Sequence, residues 1–279
     1  MRCLLTHYQY FTIKARYTGD TQKLSVCLLK PESRKTGKYS DRVQGTNRTT
    51  IPASRKQRGH PLKELTPIPA SLQHVVFVPT KEGKKFPTII AVHGRGTDEN
   101  DLIPLVLELE RTNITIISPR APFPFPGGGF TWYDIIQEVT PNPKTFDVSL
   151  GLFRKFIDET MAAYPVDPDK LLLLGFSQGT VMSYSTALLH PESFRAVIAL
   201  SGYIPLRSGL NFEIRKLANF PFFISHGTYD QMIPLKYGQE SVQFLKDAGA
   251  QVTYHEYSMA HEVRQETMRD LKNWLEQAL

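Results

Sequence analysis

The chain has 279 residues, 41% apolar and 22% charged, an ordinary balance for a globular protein large enough to bury one sizeable core. Its net charge of +6 is unevenly spread: residues 1–65 carry 14 Lys or Arg against 4 Asp or Glu, and the remainder 19 against 23, which argues against a nucleic-acid-binding body. Both cysteines, Cys3 and Cys27, lie in the basic part, so a catalytic thiol or a disulfide in the body is excluded. No apolar run reaches the roughly 18 residues that would span a membrane.

From Met1 to Arg16 no apolar stretch is long enough for a secretory signal, and a cytoplasmic location is expected. Leu24, Val26, Leu28 and Leu29 can make one short strand or helix. Pro31 to Ile68 is poor in large apolar residues and rich in Lys, Arg, Ser, Thr and Gly, too little to offset the entropy of ordering it. Residues 1–68 therefore read as a basic, flexible extension, and 69–279 as one folded domain.

From Ser71 onward strand and helix patterns alternate. His74–Val78 and Thr88–Val92 are β-branched runs, and Glu99–Glu110 has helical spacing through Leu102, Leu105, Val106 and Leu109. Ile114–Ile117 reads as a strand, Phe146–Tyr164 as a helix, and Leu171–Leu174 as a strand covered on both faces. A helix over Gln178–Leu189, strands at Ala196–Leu200 and Phe222–Ser225, and a helix from Pro234 to Ala248 follow. A strand at Val252–Tyr257 and a helix from Glu262 to Ala278 end the chain. This order predicts an α/β domain, a mostly parallel central sheet with helices on both faces.

Gly175-Phe176-Ser177-Gln178-Gly179 matches G-x-S-x-G between a predicted strand and a predicted helix. The pattern suits a tight turn that holds a serine exposed at a helix N-terminus, where glycines on either side let strand and helix approach. A serine hydroxyl is a weak nucleophile at neutral pH and needs a base, itself oriented by a carboxylate. Four histidines follow it. His190 lies at a helix end, His255 inside a strand, and His226 closes a strand where it shapes a turn. His261 alone stands on a loop after the last strand and is the expected base. Asp230, just past Phe222–Ser225, is the expected acid, since Asp247 and Asp270 fall within helices.

A developing oxyanion needs preorganised backbone N–H donors. Gln178 should supply one. Arg95, in the loop His93-Gly94-Arg95-Gly96 after a central strand, should supply the other, with His93 shaping that loop.

Taken together, His93-Gly94-Arg95-Gly96, the Gly-Phe-Ser-Gln-Gly turn, His226-Gly227-Thr228-Tyr229-Asp230 and His261 resemble the phospholipase/carboxylesterase family of α/β-hydrolases, which includes the acyl-protein thioesterases. The run Gly94 to Asp101 looks more like the bacterial-type esterase branch. The likeness covers Ser71 to Leu279. Thr180, where the family often has a second glycine, and Gln231, where proline is common, depart from its pattern. The resemblance implies an α/β-hydrolase fold, a Ser177–His261–Asp230 triad and an acyl-enzyme intermediate.

About 20 residues separate Leu200 from Pro221, too few for a large cap domain. The Pro- and Gly-punctuated segment from Pro122 to Tyr133 carries Phe123, Phe125, Phe130 and Trp132. These rings either wall an acyl pocket, with Met259 opposite, or cover the helix beneath. Histidine and carboxylate spacing suggests no metal site, and G-x-G-x-x-G is absent, so no cofactor is expected. The expected function is that of a serine carboxylesterase on short- to medium-chain acyl esters. Thioesterase or lysophospholipase activity is the alternative, and a non-catalytic binding protein on a hydrolase fold a further one. The expected partner is a small-molecule acyl ester, with no nucleic acid and no integral membrane association, acting on a monomer or homodimer.

Overall fold

The computed structural model describes residues 62–81, 85–111 and 113–279. The short element read near Leu24–Leu29, and the extension as far as residue 61, lie outside them. The strands are β1 (Leu62–Leu65), β2 (His74–Pro79), β3 (Phe86–Val92) and β4 (Thr115–Pro119), with helix α1 (Ile103–Glu108) between β3 and β4. Two small hairpins follow: β5 (Phe123–Pro124) with β6 (Phe130–Thr131), and β7 (Ile135–Gln137) with β8 (Thr140–Pro141). Then come α2 (Pro143–Ala163), β9 (Val166–Phe176), α3 (Gln178–Leu189), β10 (Ala196–Leu200), β11 (Pro221–Gly227), α4 (Leu235–Asp247), β12 (Gln251–Tyr257) and α5 (Gln265–Ala278).

The eight-stranded sheet has the order β1-β2-β4-β3-β9-β10-β11-β12. From β4 to β12 every pairing is parallel, and β2 runs antiparallel to both β4 and β1. Its central strands β3, β4 and β10, with Leu171–Phe176 of β9, are buried on both faces and mostly apolar. Leu171 and Leu173 of β9 pack with α2, α3 and α4, whereas Leu172 and Leu174 pack with α1 and α5. Helix α3 is buried from Gln178 to Leu188, and it accordingly carries no charged residue.

Three sequence expectations shift. The extension ends earlier than residue 68, because Leu62–Leu65 pairs with Val76–Pro79 as an edge strand, with Leu62 buried. Charged Lys63 and Glu64 hide that strand from a composition argument. The helix expected over Glu99–Glu110 shrinks to α1. The Asp98 carboxylate accepts the Asn100 N–H at 2.8 Å in a turn, and Pro104 then opens the helix. Helix α5 begins at Gln265, since Arg264 is still extended. Between β10 and β11 there is only one turn of 3₁₀ helix, at Ile214–Lys216, and no cap domain among the described residues.

Candidate active site

Strand β9 leaves the middle of the sheet at Phe176, and α3 begins two residues later, with Ser177 as the hinge. Its backbone has φ +55° and ψ −120°, a conformation that costs a side-chain-bearing residue about 1–3 kcal/mol. The turn is closed by neighbours. Ser177 N–H donates to Leu200 O at 3.0 Å, and Ser177 O accepts from Thr180 N–H at 2.9 Å. Helix and sheet touch here: a Cβ on Gly179 would stand 1.9 Å from Val92 O. Ser177 itself remains half-exposed.

Thr180 fills the space left by Gly202, where a Cβ would fall 2.3 Å from the Thr180 Cβ. Its hydroxyl lies 2.7 Å from Gly175 O and 2.8 Å from Leu200 O, and accepts from Leu200 N–H at 3.2 Å. The departure from the family's glycine thus staples β9 to β10 under the turn.

Asp230 follows β11 and His261 follows β12. The His261 Nδ1–H donates to Asp230 Oδ2 at 2.7 Å, and Asp230 Oδ1 accepts the N–H groups of Met232 and Ile233, each at 2.9 Å. Burial pushes the Asp230 carboxyl upward. The His261 hydrogen bond and charge and the Ile233 amide outweigh it, and the net shift is downward, keeping the group ionised. The His261 ring lies 4.9 Å from that of Phe176, which brings it beside the turn. Among the described residues the Ser177 hydroxyl has no hydrogen bond.

The other histidines have different work. His226 is buried and donates from Nε2 to Ile233 O at 2.8 Å, shaping the Asp230 loop. Burial lowers its pKa. His190 ends α3, and His255 lies within β12. His93 is fully buried, and burial lowers its pKa to about 4. Its Nε2 accepts the Ala121 N–H at 3.0 Å, so the proton sits on Nδ1, which donates to Gly94 O at 2.6 Å.

The loop that His93 shapes lies against the serine: a Cβ on Gly94 would be 3.5 Å from the Ser177 Cβ. Among the described residues neither Arg95 N–H nor Gln178 N–H donates a hydrogen bond. Two free backbone N–H groups therefore flank the Ser177 turn.

The aromatic segment behaves differently from the expected wall. Trp132 and Met259 are 0% and 1% exposed and cannot line an open pocket. Trp132 is instead wedged between Phe153 and His93, with its Nε1–H on His93 O at 2.9 Å. Phe123, Phe125 and Phe130 are half-buried. The Arg95 guanidinium lies over Phe125, and that of Arg120 over Phe130. A shallow groove opens elsewhere, between the β7–β8 hairpin, the Tyr203–Ser208 loop and α4, and is lined by Val139, Tyr203, Ile204, Leu206 and Tyr237. No spacing rule marks these residues, because they converge from three distant segments.

A serine on a strained strand-to-helix turn at the C-terminal edge of a parallel sheet, with a His–Asp pair on the loops of the next strands, defines the α/β-hydrolase class. The profile of the phospholipase/carboxylesterase family matches residues 73–279, and the chain belongs to that family of carboxylic ester hydrolases. Acyl-protein thioesterase 1 of Debaryomyces hansenii is 29% identical over 180 residues, 60% of this chain and 77% of the relative. Carboxylesterase SOBER1 of Arabidopsis thaliana is 25% identical over 206 residues, 68% of this chain and 90% of the relative. The fold is shared with a Mesorhizobium loti carboxylesterase at a TM-score of 0.67, with 23% identity over 77% of this chain and 99% of that one. A Bacillus cereus carboxylesterase superposes at 0.64, with 23% identity over 75% and 95%. Among the described residues no helix is long and apolar enough to cross a membrane.

Proposed function

We propose that the protein is a serine carboxylesterase that hydrolyses short- to medium-chain acyl esters through Ser177, His261 and Asp230. The observation that carries this reading is a convergence at one sheet edge. A strained serine, an imidazole–carboxylate pair 2.7 Å apart and two free backbone N–H groups meet there.

Because an ionised Asp230 can only accept, His261 carries its proton on Nδ1 and offers Nε2 as the base. Nε2 takes the proton from Ser177 Oγ as that oxygen attacks the ester carbonyl carbon. The carbonyl oxygen gains the negative charge and receives the N–H groups of Arg95 and Gln178. The tetrahedral species then expels the alcohol, which leaves with the proton from His261, and an acyl-Ser177 ester remains. Water repeats the sequence, releasing the acid and restoring the serine. The absence of a cap among the described residues suits an open site. Phe123, Phe125 and Phe130 form its rim beside the oxyanion loop.

The test is hydrolysis of p-nitrophenyl esters from acetate to palmitate by wild type and Ser177→Ala. The expected result is a peak at short to medium chain length and a loss of at least about a thousandfold in kcat for the variant. Wild-type turnover in Ser177→Ala would sink the assignment. A second reading, thioester hydrolysis, is favoured by the relatives named acyl-protein thioesterase at 28–29% identity. It is separated by running an S-acyl peptide and an oxygen ester of equal chain length side by side.

A further inference from the structure

Gln178 is 4% exposed, and both polar atoms of its carboxamide are hydrogen-bonded. Its Oε1 accepts from Thr131 Oγ1 at 3.0 Å and from Trp132 N–H at 2.8 Å, and its Nε2 donates to Tyr133 O at 2.7 Å. The same short segment grips the loop on the far side of the serine. Trp132 Nε1–H donates to His93 O at 2.9 Å, Gly96 N–H donates to Phe130 O at 2.7 Å, and Phe130 N–H donates to Thr97 O at 2.8 Å. Arg95 lies between those anchors. Residues 130–133 therefore form a buried bridge from the side chain of one oxyanion donor to both flanks of the other.

We propose that Trp132 and the Gln178 carboxamide are positioning residues that fix the separation of the Arg95 and Gln178 N–H groups, through the bridge of residues 130–133. The inference rests on the serine esterase reading given above. Its physical reason is that an oxyanion hole works by being rigid before the charge forms. Donors that drift by a fraction of an ångström bind the ground-state ester almost as well but lose the tetrahedral species. The Gln178 side chain lies in the core among backbone groups, so it acts on the reaction only through the N–H positions. The rings of Phe153 and His93 fix the indole plane.

The test uses the full chain carrying Trp132→Phe, which keeps an aromatic ring but loses the Nε1–H, and Gln178→Met, which keeps length but loses all three hydrogen bonds. Each should lower kcat by about 10- to 100-fold and move KM by less than about threefold. Affinity for a trifluoromethyl ketone, which forms a tetrahedral adduct with the serine, should fall in step with kcat/KM, while binding of an uncleavable ether analogue stays constant. The double variant should lose little more than the worse single one, since both cut the same bridge. Thr160→Val removes a comparable buried hydrogen bond remote in α2, and should lower the melting temperature without changing kcat.

Folded variants with wild-type kcat overturn the proposal. So does a kcat loss that the trifluoromethyl ketone affinity does not share, or one that Thr160→Val reproduces. A wild type that hydrolyses no ester and binds no ketone overturns the esterase reading itself, a result distinct from active variants that ignore the bridge.

Discussion

At the scale of single residues, burial decides which histidines titrate usefully. His93 is fully buried beneath the loop that carries Arg95, and its pKa falls to about 4 from an ordinary 6.5 because the charged ring would be stripped of water. A depressed histidine favours folding while neutral. Its contribution is complete above pH 6.5 and is lost as pH falls through 4, because the unfolded chain then takes up the proton first. The shift corresponds to roughly 3 kcal/mol at neutral pH. Asp101, raised to about 6 by burial, acts in the opposite sense over part of the same window, so the net curve of the protein hides the effect. The difference between wild type and His93→Gln isolates it. In urea unfolding the variant's deficit should be largest at pH 7 and shrink toward pH 4, and a deficit independent of pH would refute the account.

At the scale of elements, the G-x-S-x-G turn illustrates how a short motif becomes a site. The motif announced the strand, the turn and the helix, but not the supports beneath: Thr180 against Gly202 and Leu200 O, or the Gln178 carboxamide on residues 131–133. Those contacts join segments up to 47 residues apart, and no local pattern encodes them. Strand β1 is the converse case. Its residues read as extension because only Leu62 and Leu65 are apolar, yet four paired residues close the edge of β2. Two shortened chains, one beginning at Pro61 and one at Thr66, measure its contribution. The one beginning at Thr66 should lose about 2 kcal/mol or more, from the exposed Leu62 site and the unpaired β2 edge. Equal melting temperatures for the two truncations would show that β1 contributes nothing.

At the scale of the whole molecule, the sheet separates two apolar layers. Leu173 belongs to the one under α2, α3 and α4, and Leu275 of α5 to the other. Both are 0% exposed, so truncating either to Ala should cost about 2–5 kcal/mol. Because the sheet lies between them, Leu173→Ala and Leu275→Ala should add to within about 0.5 kcal/mol in denaturant unfolding. A larger coupling would mean that the sheet transmits strain between its faces.

The same layering explains what could be read in advance. The alternation of strands and helices, the class of fold and the identities of Ser177, Asp230, His261, Arg95 and Gln178 as candidates followed from local signals. Period and glycine spacing reflect short-range sterics, and the order serine, acid, histidine is what the resemblance to the α/β-hydrolases implies. The tertiary structure decided whatever depends on segments meeting. It brought His261 Nδ1 to Asp230 across 31 residues, and decided between the two readings left open for Trp132 by burying it, with Met259 buried as well. It brought the β7–β8 hairpin, the Tyr203–Ser208 loop and α4 together around one groove. A tryptophan among prolines and glycines has one composition whether it faces solvent or core. Only the packing of α2 and the His93 loop around it fixes which, because burial is a property of the neighbours and not of the residue.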